Sequence, residues 1–499
     1  MPEPTSGDTS RDRFARDALI ASIAPVVKKA KGFVLIPIIA KLLGSEAFGV
    51  WKQFAVATTL LATVASLSYD SAINRYLSVL SNDEELAERW TAVVLLMLGT
   101  GCLGGAALLL LSDPAAGLIY GDSSWEPIVL VMVAYLPLQV LYNRFLSLLR
   151  ARRWFGRATS VDLVRDLSIV GGTAAAAFLS LSIQALVAVP VLFTLLAVLY
   201  LAVSVHRELE TGYRTPDFSE IPKYTRFSVP LLAGAVAVWL AEMVDRFVLV
   251  QYTDVETVGA YSAAYAIGGV VVLAVRPVKA VLLPDLSTLW DREGRDRASS
   301  RLVRIVRYYA LVGAMAAASV AAAPGPLLRF LSSPEFVPAA DVLRIVPAGL
   351  LLYGMARLLA QIATVAARVD RLALLWGLGA TVNLGLNLLL VPRYGMTGAA
   401  AATAAAYLVT FLYCLYLTAD LVPVHEIAGL MGRVAVAGLA GAAAGILAGI
   451  GLEGILIAEF VVPMLAGAAA FLGGALLIRV FTANEMKKLL DVVVQSVRP

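Results

Sequence analysis

Charge is scarce in this chain. Asp, Glu, Lys and Arg make up 15% of its 499 residues, where an ordinary soluble domain has roughly 25%. Set beside 60% apolar residues, that deficit excludes a soluble globular protein. Cysteine and histidine occur twice each. Cys102 and Cys414 sit in separate apolar runs, which excludes a disulfide framework and a thiolate metal site. His206 and His425 have no carboxylates or thiols around them at ligand spacing, so no metal and no cofactor are expected. There is no Ser/His/Asp set, no paired carboxylates and no Gly-rich phosphate loop, and the outer loops are short, so the chain is not read as an enzyme. The net charge of +4 says little by itself, because the basic residues are distributed by topology without forming one patch, and no nucleic-acid partner is expected. The polar start "MPEPTSGDTSRDRFARD" lacks the short apolar region and small-residue site of a cleaved signal peptide.

Long apolar runs take the place of all this. Segments of roughly 20 residues recur from Ala18 to Phe481, each able to cross a hydrocarbon core of about 30 Å at about 1.5 Å per residue. About fourteen transmembrane helices are predicted, at 18–43, 49–76, 88–111, 126–147, 159–180, 184–204, 227–251, 257–283, 306–330, 339–364, 372–392, 395–418, 431–450 and 456–480. The fold class is an all-α polytopic membrane protein. Arginine sorts by loop. If the N-terminus is inside, Arg11, Arg13 and Arg16, the group Arg144 to Arg157 after span 4, Arg207 to Arg226 after span 6 and Arg292 to Arg304 after span 8 all lie on the cytoplasmic side. Arg329 and Arg393 are then the clear outer bases. An even number of spans returns the C-terminus, so a multi-pass protein of the cell membrane with both termini cytoplasmic is expected.

The chain also repeats itself. "LGSEAFGVWKQFAVA" follows span 1 and "YTDVETVGAYSAAYA" follows span 7; aligning Gly49 with Gly259 puts Trp51 on Tyr261. "LSIQALVAVPVLFTLLAVLYL" echoes "YGMTGAAAATAAAYLVTFLYC" at nearly the same offset. The second copy begins six spans after the first, so both face the same way, a parallel repeat. This organisation predicts a disordered N-terminus over 1–17, a six-helix lobe over 18–204, a polar connector over 205–225, a second six-helix lobe over 226–418, two further spans over 419–481 and an amphipathic tail over 482–499. "STLWDREGRDRASSRLVRIVRYYA" places Leu302, Ile305 and Val306 on one stripe among arginines, as an interfacial helix would, and "NEMKKLLDVVVQSV" is similar.

Three separated motifs carry a family resemblance: "IPIIAKLLGSEAFGVW", "VDRFVLVQYTDVETVGAYSAAYAI" and "ATVNLGLNLLLVPRYGMTGAAAATAAAY". With these the chain resembles the Wzx-type oligosaccharide flippases, of the superfamily that includes multidrug exporters and peptidoglycan-precursor flippases. The resemblance implies two six-helix lobes around a central cavity, plus two C-terminal helices. It implies alternating access that moves a lipid-linked, diphosphate-bearing oligosaccharide from the cytoplasmic to the outer leaflet. A monomer in membrane lipid is expected, with a glycan polymerase or glycosyltransferases as further partners. The alternative is a cation-coupled multidrug or small-molecule antiporter of the same superfamily.

Charges inside membrane helices cost about 2.5–3.5 kcal/mol each on insertion scales, so those that persist tend to face water or one another. Spans 1, 2, 7 and 8 hold Lys28, Lys29, Lys31, Lys41, Lys52, Asp70, Glu242, Asp245, Arg246, Arg276 and Lys279, whereas spans 3, 4, 9 and 12 are read as free of internal charge. Lys28 and Lys31 share a face near mid-membrane. They, with Lys52, Arg276 and Lys279, are the candidate cavity cations for an anionic substrate. At the repeat offset Lys28 falls on Val238, Lys31 on Ala241 and Lys52 on Ser262, so the shared scaffold does not require these cations. Asp70, Arg75, Asp245 and Arg246 are candidates for gating or coupling. Glu242 is placed to pair with Arg246 at i, i+4, and Asp245 has no fixed neighbour in sequence. Asn383 and Asn387 on span 11, with Arg357 and Gln361 on span 10, are candidate sugar contacts beside a packing role.

Overall fold

A computed structural model describes residues 6 to 480 apart from 210, 211, 213, 274 and 453, with side chains from residue 36 onward except at 276, 277, 280 and 369. All regular elements among the described residues are helical. The chain divides into two compact units, 1–262 and 263–499.

The first unit contains α1 (Ser6–Ala65), α2 (Tyr69–Ala72), α3 (Asp83–Leu110), α4 (Ser112–Tyr120), α5 (Glu126–Ala151), α6 (Phe155–Phe178), α7 (Ile183–Glu208) and α8 (Ile221–Tyr252), and it takes in the start of α9 (Val255–Gly268). Helix α1 is two arms. Its backbone breaks at Gly44, where φ is 83°, a conformation open to glycine because it has no Cβ. This is the break expected between spans 1 and 2. Helices α3, α5 and α7 pack in series, and α6 lies on α1. The duplicated turns meet one another: a Cβ on Gly49 would lie 2.0 Å from the Val255 carbonyl oxygen, and one on Gly259 2.3 Å from that of Ser45. Ser45 Oγ donates to Glu256 Oε1 at 2.7 Å across the same crossing.

The second unit contains α10 (Val275–Glu293), α11 (Arg295–Ala322), α12 (Pro324–Leu331), α13 (Ala340–Val365), α14 (Val369–Leu417), α15 (Val424–Ala448) and α16 (Leu456–Leu477). Its core gathers Leu302, Val306, Met355, Leu359, Cys414 and Ile427. Helix α14 breaks at Gly395, φ 52°, between predicted spans 11 and 12.

Among the described residues eleven helices are long and apolar enough to cross a membrane, and the longest of them contains the Gly395 break. The protein is an all-helical polytopic membrane protein. Three expected elements differ in detail. Span 2 stops at Ala65 and resumes as α2 and a π turn, Ile73–Leu77, after Leu67 and Ser68 adopt positive φ. Thr58, Thr59, Thr63 and Ser66 all bond back to carbonyls three or four residues earlier, competition that bends helices. Span 8 is divided by a 3-10 turn at Gly269–Val272 between α9 and α10, beside a Gly pair and Pro277, which lacks a backbone donor. The arginine-rich stretch is no separate interfacial helix. Gly294 (φ 86°) splits it, and its second part begins the long α11, with Leu302 and Val306 fully buried. The tail from 482 lies outside the described residues.

Candidate functional site in the first unit

Helix α5 builds a polar wall by helical spacing. Tyr135, Gln139, Tyr142 and Asn143 recur three or four residues apart, so they share one face. Tyr135 donates to Gln139 Oε1 at 2.8 Å, and Gln139 Nε2 to Asn143 Oδ1 at 3.0 Å. The wall faces a cavity of about 690 Å³, lined also by Thr58, Thr59 and Thr63 of α1 and Ser66 just after it, and closed further by Pro190 of α7 and by Leu231 and Ala235 of α8.

Arg165 of α6 organises this cavity. Its Nη2 donates to Gln139 Oε1 (2.8 Å), Thr194 Oγ1 (2.8 Å) and Tyr135 Oη (3.0 Å), and its Nε to Thr194 Oγ1 (3.0 Å). The guanidinium carbon lies 4.2 Å from the centre of the Tyr142 ring. Asp166 is 3.9 Å away, too far for a hydrogen bond. The guanidinium is thus hydrogen-bonded by neutral acceptors, covered by an aromatic face and ion-paired with Asp166, an arrangement that keeps its shape and its charge. Around it, Tyr142 donates to Asp162 Oδ1 at 2.8 Å, Arg150 approaches Asp162 at 3.8 Å, and Arg144 pairs with Asp70 at 3.3 Å. The lining thus carries Asp70, Asp162 and Asp166 against Arg144, Arg150 and Arg165. Hydroxyls, amides and fixed guanidinium donors in one cavity suit a polar, hydroxyl-rich ligand with anionic groups.

Of the residues singled out from sequence, Asp70 lines this cavity. Arg75 is engaged elsewhere, over the Phe227 ring at 4.6 Å and the Tyr76 ring at 5.5 Å. Lys52 lies over Trp51 at 5.1 Å and Phe48 at 5.5 Å, with Trp51 on the cavity wall. The side chains of Lys28, Lys29, Lys31 and Arg276 lie outside the described residues. In the second unit Lys279 stands within Coulombic reach of Arg357, whose Nη1 donates to Tyr353 Oη at 3.4 Å. Gln361 is buried and bonds to the Arg357 carbonyl. Asn383 and Asn387 are also fully buried and bond to each other at 3.1 Å, with Asn383 reaching Thr403 at 3.4 Å.

Two expectations need correction. Arg144 and Arg150 are not loop arginines: both lie within α5, which runs on to Ala151, and Arg144 is 5% exposed because Asp70 is there to meet it. Asp245 does have a sequence neighbour, since Arg246 Nη1 reaches Asp245 Oδ1 at 2.8 Å while Tyr261 donates to Oδ2. The long arginine stem curls back along the helix, which a comparison of Cα directions alone ignores. Asp162, Arg165 and Asp166 line the cavity without having been singled out by the sequence. The signal in the sequence is three charges at i, i+3 and i+4 in the middle of a 24-residue helix whose one other charge, Arg157, lies at its start.

The chain is similar over most of its length to known membrane proteins. A family profile described as polysaccharide biosynthesis protein matches residues 14–290. A probable low-salt glycan biosynthesis flippase of Haloferax volcanii is 21% identical over 412 residues, 81% of this chain and 84% of that protein. Among solved structures, the lipid II flippase MurJ in an inward closed conformation superposes with a TM-score of 0.75 at 17% identity, covering 92% of this chain and 98% of that one. An inward-facing multidrug resistance MATE transporter superposes at 0.60 and 14% identity, covering 80% and 95%.

Proposed function

Because the chain belongs to the family of polysaccharide biosynthesis proteins, we propose that it is a flippase that carries a lipid-linked, diphosphate-bearing oligosaccharide from the cytoplasmic to the outer leaflet. The observation that carries this reading is Arg165, hydrogen-bonded to neutral acceptors beside Asp166 on the wall of a polar cavity inside a protein built largely of apolar helices. Apolar cargo needs no such cavity, and its polar lining is costly to keep at membrane depth. Supporting relatives include a probable glycan biosynthesis flippase.

In this proposal the repeated six-helix lobes alternate access around the substrate, and Lys28, Lys31, Lys52, Arg276 and Lys279 add positive charge for the diphosphate. Movement of the head group makes and breaks no covalent bond, so the residues act as ligands. The protein acts in the cell membrane as a monomer with both termini cytoplasmic, receiving substrate from glycosyltransferases and passing it to a polymerase. The test is reconstitution in proteoliposomes with a fluorescent lipid-linked oligosaccharide, following loss of the label to a membrane-impermeant quencher. Protein-dependent flipping that is lost in Arg165→Ala supports the reading. Proton-driven efflux of a cationic dye, with no lipid flipping, would replace it with the antiporter of the same superfamily.

A further inference from the structure

The second unit contains a cleft of different character. It has about 700 Å³ and is lined by Val270, Val278, Leu282, Ile305, Tyr308 and Val312 among others, with a single ion pair at one end, Asp285 and Arg301. It opens sideways: Val281 is 70% and Val312 50% exposed at its rim. Water cannot occupy it well, because a bound water needs two to four polar partners, and an empty apolar void forfeits its dispersion contacts. Its size falls in the usual range for small-molecule sites, about 300–1,000 Å³.

The polar end selects the occupant. Asp285 Oδ2 accepts from Arg301 Nε at 2.9 Å, which fixes the guanidinium and leaves both of its terminal nitrogens as donors. Arg304, exposed and one turn further on the same side of α11, makes no hydrogen bond or ion pair to any described residue. Below the arginines the lining runs along one stripe of α11, Ile305, Tyr308, Val312 and Ala316. From Arg301 to Ala316 the helix rises about 22 Å, more than the roughly 15 Å of hydrocarbon in one leaflet.

We propose that the cleft between α10 and α11 binds one anionic phospholipid, its phosphate against Arg301 and Arg304 and one acyl chain along the stripe to Ala316. Basic pockets between membrane helices are suited to such head groups, and the stripe is long enough to hold a phosphate at the interface and an acyl chain running the depth of one leaflet below it. The lipid is a resident of the second unit, whereas the polar cavity belongs to the first, so the proposal does not depend on what the protein transports.

The test uses the full-length protein in vesicles of phosphatidylcholine and phosphatidylglycerol, with a photoactivatable diazirine acyl chain on one lipid or the other. Labelling by the phosphatidylglycerol probe is expected on the peptides carrying Val281 and Val312. Arg301→Gln is expected to reduce it about fivefold, the worth of one arginine at an anionic surface, and Arg301→Lys to restore part of it. Val281→Trp, at the exposed rim, is expected to abolish labelling with either probe. The proposal is overturned if the two probes label equally, if labelling survives Val281→Trp, or if a polyisoprenyl phosphate displaces the probe better than phosphatidylglycerol does. The last result would assign the cleft to the lipid carrier.

Discussion

At the scale of single residues, two arginines within the helices define different roles. Arg165 offers donors into a cavity, and its removal leaves Gln139, Thr194 and Tyr135 to bond with one another or with water and leaves Asp166, on the same cavity wall, to be hydrated. Arg165→Ala is therefore expected to fold and to lower flipping of the lipid-linked oligosaccharide by about ten- to a hundredfold, the worth of a hydrogen bond to a charged group. Arg165→Lys should recover little, since an ammonium cannot reach Gln139 and Thr194 while lying on Tyr142. Equal flipping by Arg165→Ala and wild type at matched reconstitution would remove Arg165 from the site. Arg246 is the structural counterpart, its pair with Asp245 almost wholly sequestered at 6% and 2% side-chain exposure. Asp245→Asn leaves a buried cation unbalanced and is expected to destabilise by about 3–5 kcal/mol. The double change Asp245→Asn with Arg246→Gln should recover much of that loss in a thermal-unfolding assay in detergent, the coupling that identifies a pair.

At the scale of elements, the contrast between glycines is testable. Gly49 and Gly259 let two helix arms cross at backbone contact, and a Cβ at either would overlap a carbonyl oxygen. Gly49→Val should separate the arms and lower both stability and transport. Gly395 has open space around it and matters through its backbone alone, φ 52° and ψ −131°, outside the left-handed helical region that other residues tolerate, so Gly395→Ala should cost about 1–3 kcal/mol without the steric overlap of Gly49→Val. A second element-scale device ties the start of α14 to the loop after it. Arg368 Nη1 donates to the Leu417 carbonyl and to Asp420 Oδ1, both at 2.7 Å. This hydrogen-bonded guanidinium holds the Asp420 carboxyl down at about 2, below its ordinary value near 3.9. A depressed carboxylate stabilises the fold above its unfolded value and stops doing so as pH falls through its folded one. The stability difference between wild type and Asp420→Asn should then be constant above about pH 4 and vanish as pH falls towards 2. The pair is exposed, so added salt should shrink the difference at neutral pH.

At the scale of the whole molecule, topology is the first test. Single cysteines at Ser300, just inside α11, and at Ser123, in the turn before α5, are both exposed. With Cys102 and Cys414 replaced, an impermeant maleimide added to intact cells should label the Ser123 position and spare the Ser300 position, which should react only after the membrane is opened. Labelling of the Ser300 position from outside would invert the orientation proposed from the arginine loops. Energy coupling belongs to this scale too. Moving one charge across 100 mV is worth about 2.3 kcal/mol, so an inside-negative potential favours outward passage of an anionic head group, less whatever cavity cations travel with it. Flipping that follows an imposed pH gradient, ignores the potential and is lost in a stably folded Asp70→Asn variant would make proton exchange the driving force instead.

Sequence by itself determined that this is a polytopic helical membrane protein, where most of its helices run, and that the chain turns at Gly44 and Gly395; the breaks after Ala65 and at Gly269–Val272 it did not place. The features it did determine follow from apolar run length and from glycine at Gly44 and Gly395, which are local properties of the chain. The repeat was legible for the same reason, and Gly49 and Gly259, paired by alignment, proved to pair in space. Tertiary structure alone decided which charges meet. Arg144 finds Asp70, 74 residues away in sequence, and Arg165 finds Gln139 and Thr194 on two other helices. Helical period states which side chains share a face, and it is silent about which other helix that face will meet. Membrane helices have no differential hydrophobic drive to choose partners, so packing and polar contacts make the choice, and these depend on the three-dimensional fit of the whole bundle.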